Sequence, residues 1–440
     1  MNTVNLRKSS NFYKEHILYP YGDVSRNNLD NRLNIKSGDG IWLISKDDRK
    51  YIDAISGLWN VSLGYKNIRI ENSIKKQIDD ISFCSLFDHT NDIIIKNSNK
   101  ILSLHNNNMN KVCYTCSGSE SIELAIKLMR KYWDDMGFLN KKTILSFSHS
   151  YHGTSYGALT ISHDEDDYFN QYKPGIEAVE KIDICRGDYN NCGFNSGCNY
   201  CQKIEKFICD KNSLIAGIII EPIILSMGVK DICKKLLNKI IELCNYYDLL
   251  ISVDEVATGF YRTGAPFYYQ KLNLFPDIIC MSKGINSGYL PLGAVCFNKK
   301  IEDVIADSIN KCIIHGSTQG GNVLSCAASN TAIDIYNEMF NDDTSLNLVK
   351  NFSVELNEKL KDISYIDKVV SKGFLICIEF SNEKFRFNLN DVLKIKDSLK
   401  KSGLIVYGCN DGILMLPMFI TNKDEYNLII SKLVEYFHYN

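Results

Sequence analysis

A surplus of positive charge is missing from this 440-residue sequence: 50 Lys and Arg stand against 52 Asp and Glu, a formal charge of −2. With no basic field, neither nucleic acid nor an anionic membrane surface is an expected partner, and small polar or organic molecules fit better. A long apolar run is missing too. The longest, Leu214 to Val229, is broken by Glu221-Pro222, and the opening MNTVNLRKSSNFYKEH has no apolar signal core, so neither a membrane span nor export is expected. The expectation is a cytoplasmic protein. Internal repeats, low-complexity tracts and long linkers are absent as well. What is present is 45% apolar residues, enough for a large core and two domains. Sixteen cysteines in a reducing compartment read as small buried hydrophobes, not as a disulfide framework.

Residues 1–62 are mixed. Tyr19-Pro20-Tyr21 reads as a turn, Gly38-Asp39-Gly40 opens a hairpin, and Ile41 to Ile44 with Tyr51 to Ile52 supply its short strands around the Lys46-to-Lys50 tip. Trp59 follows in a loop, where domain packing and a pocket wall are equally good readings. From 63 to 328 helices and strands alternate. Strands are expected at Thr143 to Ser148, Leu214 to Ile220, Leu249 to Val253, Ile278 to Met281 and Ala294 to Phe297. Helical spacing marks Ile68 to Ile81, Ser121 to Trp133, Cys233 to Tyr246 and Asn322 to Glu338. This alternation predicts an α/β domain with a mostly parallel sheet. Residues 329–440 change character: Phe374 to Phe380, Leu404 to Tyr407 and Ile413 to Leu416 suit a smaller α+β lobe. A closing helix carries an Asn422/Glu425 capping box and an apolar face of Tyr426, Ile429, Ile430, Leu433 and Phe437.

Functional groups gather at the expected strand ends, where open α/β sheets bind ligands. Asp254 and Glu255 follow Leu249 to Val253, Ser282-Lys283-Gly284 follows Ile278 to Met281, Tyr151 and His152 follow Thr143 to Ser148, and Glu221 follows Ile220. An acid and an amine therefore share one rim. Cys116-Ser117-Gly118-Ser119-Glu120 enters a helix, and such an N-terminus offers free N–H groups and roughly half a unit of positive charge to a phosphate. A plain stabilising cap would look the same. Tyr151 could stack on a planar ring or simply cap the core.

The ordered set SGSES, YHG, EP, VDEVATGFYRTG, SKGINSGYLPLG and HGSTQGGNVLSCAA resembles the class III aminotransferases, pyridoxal-phosphate enzymes of fold type I, from about Tyr19 to the C-terminus. The wording is nearest to adenosylmethionine-8-amino-7-oxononanoate and ω-amino acid aminotransferases. The resemblance implies a large domain with a mostly parallel sheet, plus a smaller α+β domain built from both termini. It implies pyridoxal 5'-phosphate as cofactor, with Lys283 forming the internal aldimine and Asp254 pairing with the pyridine nitrogen. Across about 3 Å and an effective dielectric near 20 that pairing is on the order of 5 kcal/mol before desolvation. Val256 and Tyr151 would face the ring, Glu221 would belong to the same set, and Gly118 and Ser119 would hold the phosphate with Thr318 reaching over from the partner subunit. A homodimer with shared sites follows. Substrates would be an amine or ω-amino donor and a keto or aldehyde acceptor, with Trp59, Tyr21 and Tyr407 at the substrate side; Phe87 is a further pocket-wall candidate.

One departure bears on the substrate. Much of this branch carries a carboxylate-gripping arginine in the C-terminal lobe, where GLIVYGCNDGILMLP here places Tyr407. Tyrosine cannot offer a bidentate cationic fork. Either the substrate lacks the usual carboxylate, as an amine, an amino ketone or a modified peptide end would, or another of the nine arginines is recruited; Arg262 is read as structural. Cys185, Cys192, Cys198 and Cys201 have spacing that suits Zn²⁺ or an iron–sulfur cluster, but reduced thiols without a metal are the preferred reading. The competing functions are an aminomutase, racemase or decarboxylase on the same scaffold, and a binding protein that kept the fold without the cofactor.

Overall fold

The hairpin expected near the N-terminus forms, with one strand more than its sequence signal. The computed structural model describes residues 17–21, 32–163, 170–184, 199–381, 388–410 and 412–439. In it β1 (Ile35–Asp39), β2 (Trp42–Ser45) and β3 (Lys50–Asp53) form an antiparallel meander. Next come β4 (Lys111–Thr115), β5 (Thr143–Phe147), β6 (Val179–Ile182), β7 (Ile215–Ile220) and the two-residue pair β8 (Ile223–Ile224) and β9 (Lys230–Asp231). They are followed by β10 (Leu250–Asp254), β11 (Ile278–Met281) and β12 (Gly293–Phe297).

One seven-stranded sheet takes the order β4-β12-β11-β10-β7-β5-β6. From β11 to β6 neighbours run parallel. β12 is antiparallel to both β11 and β4. The short link from Ser282 to Leu292 explains this, because a parallel return needs a crossover of a dozen or more residues. The central strands are fully buried, as their apolar runs require. β4 and β6 had no sequence signal, because edge strands need be only half-buried and these carry Lys111, Glu180 and Lys181.

Helices cover the sheet. The helix Gly118–Asp135 buries Ile122, Ala125, Ile126, Met129 and Trp133, and the Trp133 indole N–H donates to Ala216 O at 2.7 Å, pinning the helix to β7. Burying each of its large apolar side chains stabilises the fold by about 1.5–3 kcal/mol.

The C-terminal part adds β13 (Ile366–Lys372), β14 (Leu375–Phe380), β15 (Leu404–Ile405), β16 (Tyr407–Cys409) and β17 (Gly412–Met415). The antiparallel order is β13-β14-β17-β16, while β15 joins β3 in parallel, completing the sheet β1-β2-β3-β15. The single strand expected over Leu404 to Tyr407 is therefore two, separated at Val406, where the chain leaves one sheet for the other. Backbone pairing forces the change: the Ala54 N–H donates to Ile405 O at 3.1 Å, and Leu416 N–H donates back to Ala54 O at 2.7 Å. The closing helix Lys423–Tyr439 has its expected capping box, Asn422 N–H to Glu425 Oε2 at 2.9 Å and Glu425 N–H to Asn422 Oδ1 at 3.0 Å. Among the described residues no helix is long and apolar enough to cross a membrane.

Candidate active site

Asp254 is the last residue of β10 and Lys283 follows β11, the neighbouring parallel strand, so the acid and the amine do share a rim. The buried Asp254 is held at both oxygens: Val256 N–H donates to Oδ1 at 3.0 Å, and His152 Nδ1 lies 2.8 Å from Oδ2. His152 is equally buried, and its Nε2 has no hydrogen-bond partner among the described residues. The motif YHG is visible in the sequence, but the resemblance points only to its tyrosine. His152 occupies the same position past a strand end, and that was the available signal.

Lys283 opens a short 3-10 turn with φ +37°, an unusual conformation for a residue with a Cβ. Burial lowers its amine's pKa, while the charges of Asp254 and Glu221 pull the other way. Its Nζ lies 4.7 Å from the centre of the Trp59 ring. Trp59 in turn meets Tyr407 edge-on at 5.4 Å, so the two rings form one aromatic wall beside the amine. Asp53 shapes this wall: its carboxylate accepts the N–H groups of Ile55 at 3.1 Å and Gly57 at 2.6 Å, and the Tyr65 hydroxyl at 2.7 Å.

Glu221, buried just past β7, accepts Tyr151 N–H at 3.0 Å and Leu225 N–H at 3.2 Å. Burial pushes its carboxyl up to about 7, opposed by His152 and the Tyr151 N–H. It thus fixes the backbone that presents Tyr151. The Tyr151 hydroxyl lies 3.5 Å from that of the exposed Tyr21.

At the other end, Ser117 Oγ accepts Glu120 N–H at 3.2 Å and Glu120 returns by accepting Cys116 N–H. The N–H groups of Gly118 and Ser119 are left as orphans of the first turn. Gly118 is pressed against Val256, and a Cβ there would come within 2.9 Å of Val256 Cγ1. Ser119 Oγ accepts Thr154 N–H at 3.2 Å. Thr318 is exposed between the helices Lys299–Asp307 and Val323–Met339, next to Ser317, whose hydroxyl lies 3.2 Å from Cys116 Sγ. Phe87 is exposed, with its ring beside Gly316. Arg262 is structural, buried and donating to Pro417 O at 2.8 Å and Ser62 Oγ at 2.9 Å.

Of the cysteine cluster, Cys185, Cys192 and Cys198 lie outside the described residues, and Cys201 is part-buried on the helix Asn199–Lys211. No group of three or more metal-ligating side chains occurs among the described residues.

The family profile described as "Aminotransferase class-III" matches residues 23–437. The chain belongs to the class III aminotransferases. It is 26% identical to the adenosylmethionine-8-amino-7-oxononanoate aminotransferase of Aquifex aeolicus (strain VF5), with 96% of this chain and 95% of that one covered. It is 26% identical to the omega-aminotransferase of Caulobacter vibrioides, with 91% of each chain covered. A crystal structure of an amine transaminase from an uncultivated Pseudomonas species, in its PLP-bound internal aldimine form, superposes with a TM-score of 0.88 at 25% identity, covering 96% of this chain and 98% of that one. The fold is accordingly that of the fold type I pyridoxal-phosphate enzymes.

Class III aminotransferases depend on pyridoxal 5'-phosphate. The residues present in this aminotransferase fit that group: a burial-depressed amine, a carboxylate held at both oxygens, and an uncovered helix N-terminus where glycine lets the chain approach closely.

Proposed function

We propose that this aminotransferase moves an amino group from an amine or ω-amino donor to a keto or aldehyde acceptor, with Lys283 and Asp254 as the catalytic pair. What carries the reading is the delivery of both groups to one rim by adjacent parallel strands. Bound pyridoxal phosphate supplies an aldehyde for the amine and a ring that accepts the electron pair left when the neighbouring C–H bond breaks. Lys283 would hold the aldehyde end and, once released, carry the proton away from the substrate carbon and return it. A lowered pKa suits it to that role. Asp254 would hold the ring nitrogen, kept in place by His152 and Val256. Val256 and Tyr151 would pack on the ring, with Glu221 fixing Tyr151. Gly118 and Ser119 would hold the phosphate together with the partner subunit's Thr318. Trp59, Tyr21 and Tyr407 would shape the substrate side.

The homodimer belongs to the same proposal. Phe87, Ile309 and Ile314 are exposed around a segment whose Gly316 lies beside Phe87, and apolar side chains exposed together mark an interface. A reducing cytoplasm suits Cys377 and Cys409, whose sulfurs lie 3.9 Å apart as free thiols. The domain division at 62 and 328 is retained as part of this reading.

The test is covalent. Holoenzyme reduced with borohydride should carry one cofactor-derived mass on the peptide containing Lys283, and Lys283→Ala should carry none and lose turnover. Labelling of a different lysine, or normal turnover by the alanine variant, would overturn the assignment.

A further inference from the structure

Tyr407 leaves the substrate side without an arginine of its own, yet a cation stands next to it and a second one stands near the first. β16 is the edge of its sheet, and the helix Leu389–Lys401 packs against it, placing the Lys396 ammonium 5.9 Å from the centre of the Tyr407 ring. Lys396 is half-buried and makes no ion pair among the described residues. The neighbouring carboxylate, Asp397, is engaged by Lys400 at 3.0 Å. Arg32, whose guanidinium lies 4.1 Å over the Tyr19 ring, is also without a carboxylate among the described residues and is close enough to Lys396 to repel it.

A half-buried, unpaired ammonium with a second cation near it opposes folding, so its retention calls for an anion. Consistent with this, the Lys396 pKa is lowered, by burial first and then by Lys400 and Arg32 against the pull of Asp397. Tyr407 also leads towards the chemistry. Trp59 lies 5.4 Å from it, and Lys283 lies 4.7 Å from Trp59. An extended molecule with its reacting end at Lys283 and lying along these two rings would present its far end to Lys396 and Arg32.

We propose that Lys396 and Arg32 form an anion subsite at the cleft mouth that holds the distal carboxylate of an ω-amino acid or of the matching oxo acid. The proposal rests on the aminotransferase reading and deepens it by naming the substrate class. Lysine is a point charge without arginine's fork, so the subsite should tolerate a range of chain lengths; part-exposed, it should weaken with added salt.

Two measurements on the holoenzyme test it. The first is calorimetric titration with hexanedioate, which carries the carboxylate but no amine and so cannot react. The second is the ratio of kcat/KM for 6-aminohexanoate to that for hexylamine. Lys396→Met should raise the hexanedioate Kd and lower that ratio, through the KM of the amino acid, each by roughly tenfold or more. Lys396→Arg should retain both. Arg32→Gln, at an exposed position, should move both in the same direction as Lys396→Met and serves if that variant does not fold. Absence of hexanedioate binding to the wild type, or an unchanged Kd and ratio in both Lys396→Met and Arg32→Gln, overturns the subsite. Binding that depends on Lys396 in a protein that turns over no amine would instead leave the subsite standing and sink the aminotransferase reading.

Discussion

His152 Nδ1 and Asp254 Oδ2 lie 2.8 Å apart with both side chains buried, so the acid at the end of β10 is oriented by a histidine delivered from the end of β5. The second Asp254 oxygen is taken by Val256 N–H, which leaves the carboxylate little freedom to turn.

If that orientation matters to the reaction, His152→Ala should lower kcat by about tenfold or more, the worth of one hydrogen bond to a charged group. Asp254→Asn should cost more, roughly a hundredfold or beyond, since the charge itself goes. Steady-state rates at saturating cofactor measure both. A kcat for His152→Ala within twofold of wild type would mean that Asp254 is positioned without the histidine.

Glu255 sits beside Asp254 but points into the core, accepting Tyr269 N–H at 2.7 Å and the Thr258 hydroxyl. Burial pushes its carboxyl from 4.5 up to about 7. The folded state then binds the proton more tightly than the unfolded state, so this group's contribution to stability declines as pH rises from about 4.5 to about 7 and is constant above. Glu255→Gln removes that slope. Relative to wild type, the variant should gain on the order of 3 kcal/mol between pH 5 and pH 8 as an upper bound. Denaturant unfolding at the two pH values measures the gain, and equal pH dependence in both proteins would contradict it.

Gly153 has φ +128°, and a Cβ there would stand 2.2 Å from Ser119 Oγ. Gly153→Ala should therefore cost about 1–3 kcal/mol and weaken cofactor binding, because Ser119 must move. Gly137 provides the control: its φ is +83° but its Cβ would meet nothing within 4 Å. Gly137→Ala should cost about 1 kcal/mol from backbone strain and leave cofactor affinity unchanged. Thermal unfolding and cofactor titration of the two variants check the contrast.

The exposed Phe87, Ile309 and Ile314 predict the oligomer. Charging the patch with Ile314→Asp should shift the protein towards monomer in sedimentation velocity and lower activity per chain, since Thr318 would no longer reach a partner's site. A monomeric wild type, or a fully active monomeric variant, would remove the shared-site proposal.

Much of this molecule could be read from its residues, for reasons specific to each element. The central strands were legible because burial on both faces leaves an unbroken apolar run, and the closing helix because Asn422 and Glu425 satisfy each other's backbone locally. β4 and β6 were not, since an edge strand's hydrogen bonds are supplied by its neighbour whatever its own side chains. The division at Val406 was equally hidden, because the partner strand β3 lies far away in sequence.

By itself, then, the sequence determined the order of elements, through local burial and capping patterns, and the reaction class, through the resemblance of its ordered motifs to the class III aminotransferases. Tertiary structure alone decided what stands next to each functional group. It set His152 on Asp254, Glu221 on the Tyr151 backbone, Lys396 beside Tyr407, and Arg32 near Lys396. The physical reason is that periodicity and caps record interactions within a few residues, whereas these pairings arise where strands and lobes from distant parts of the chain meet.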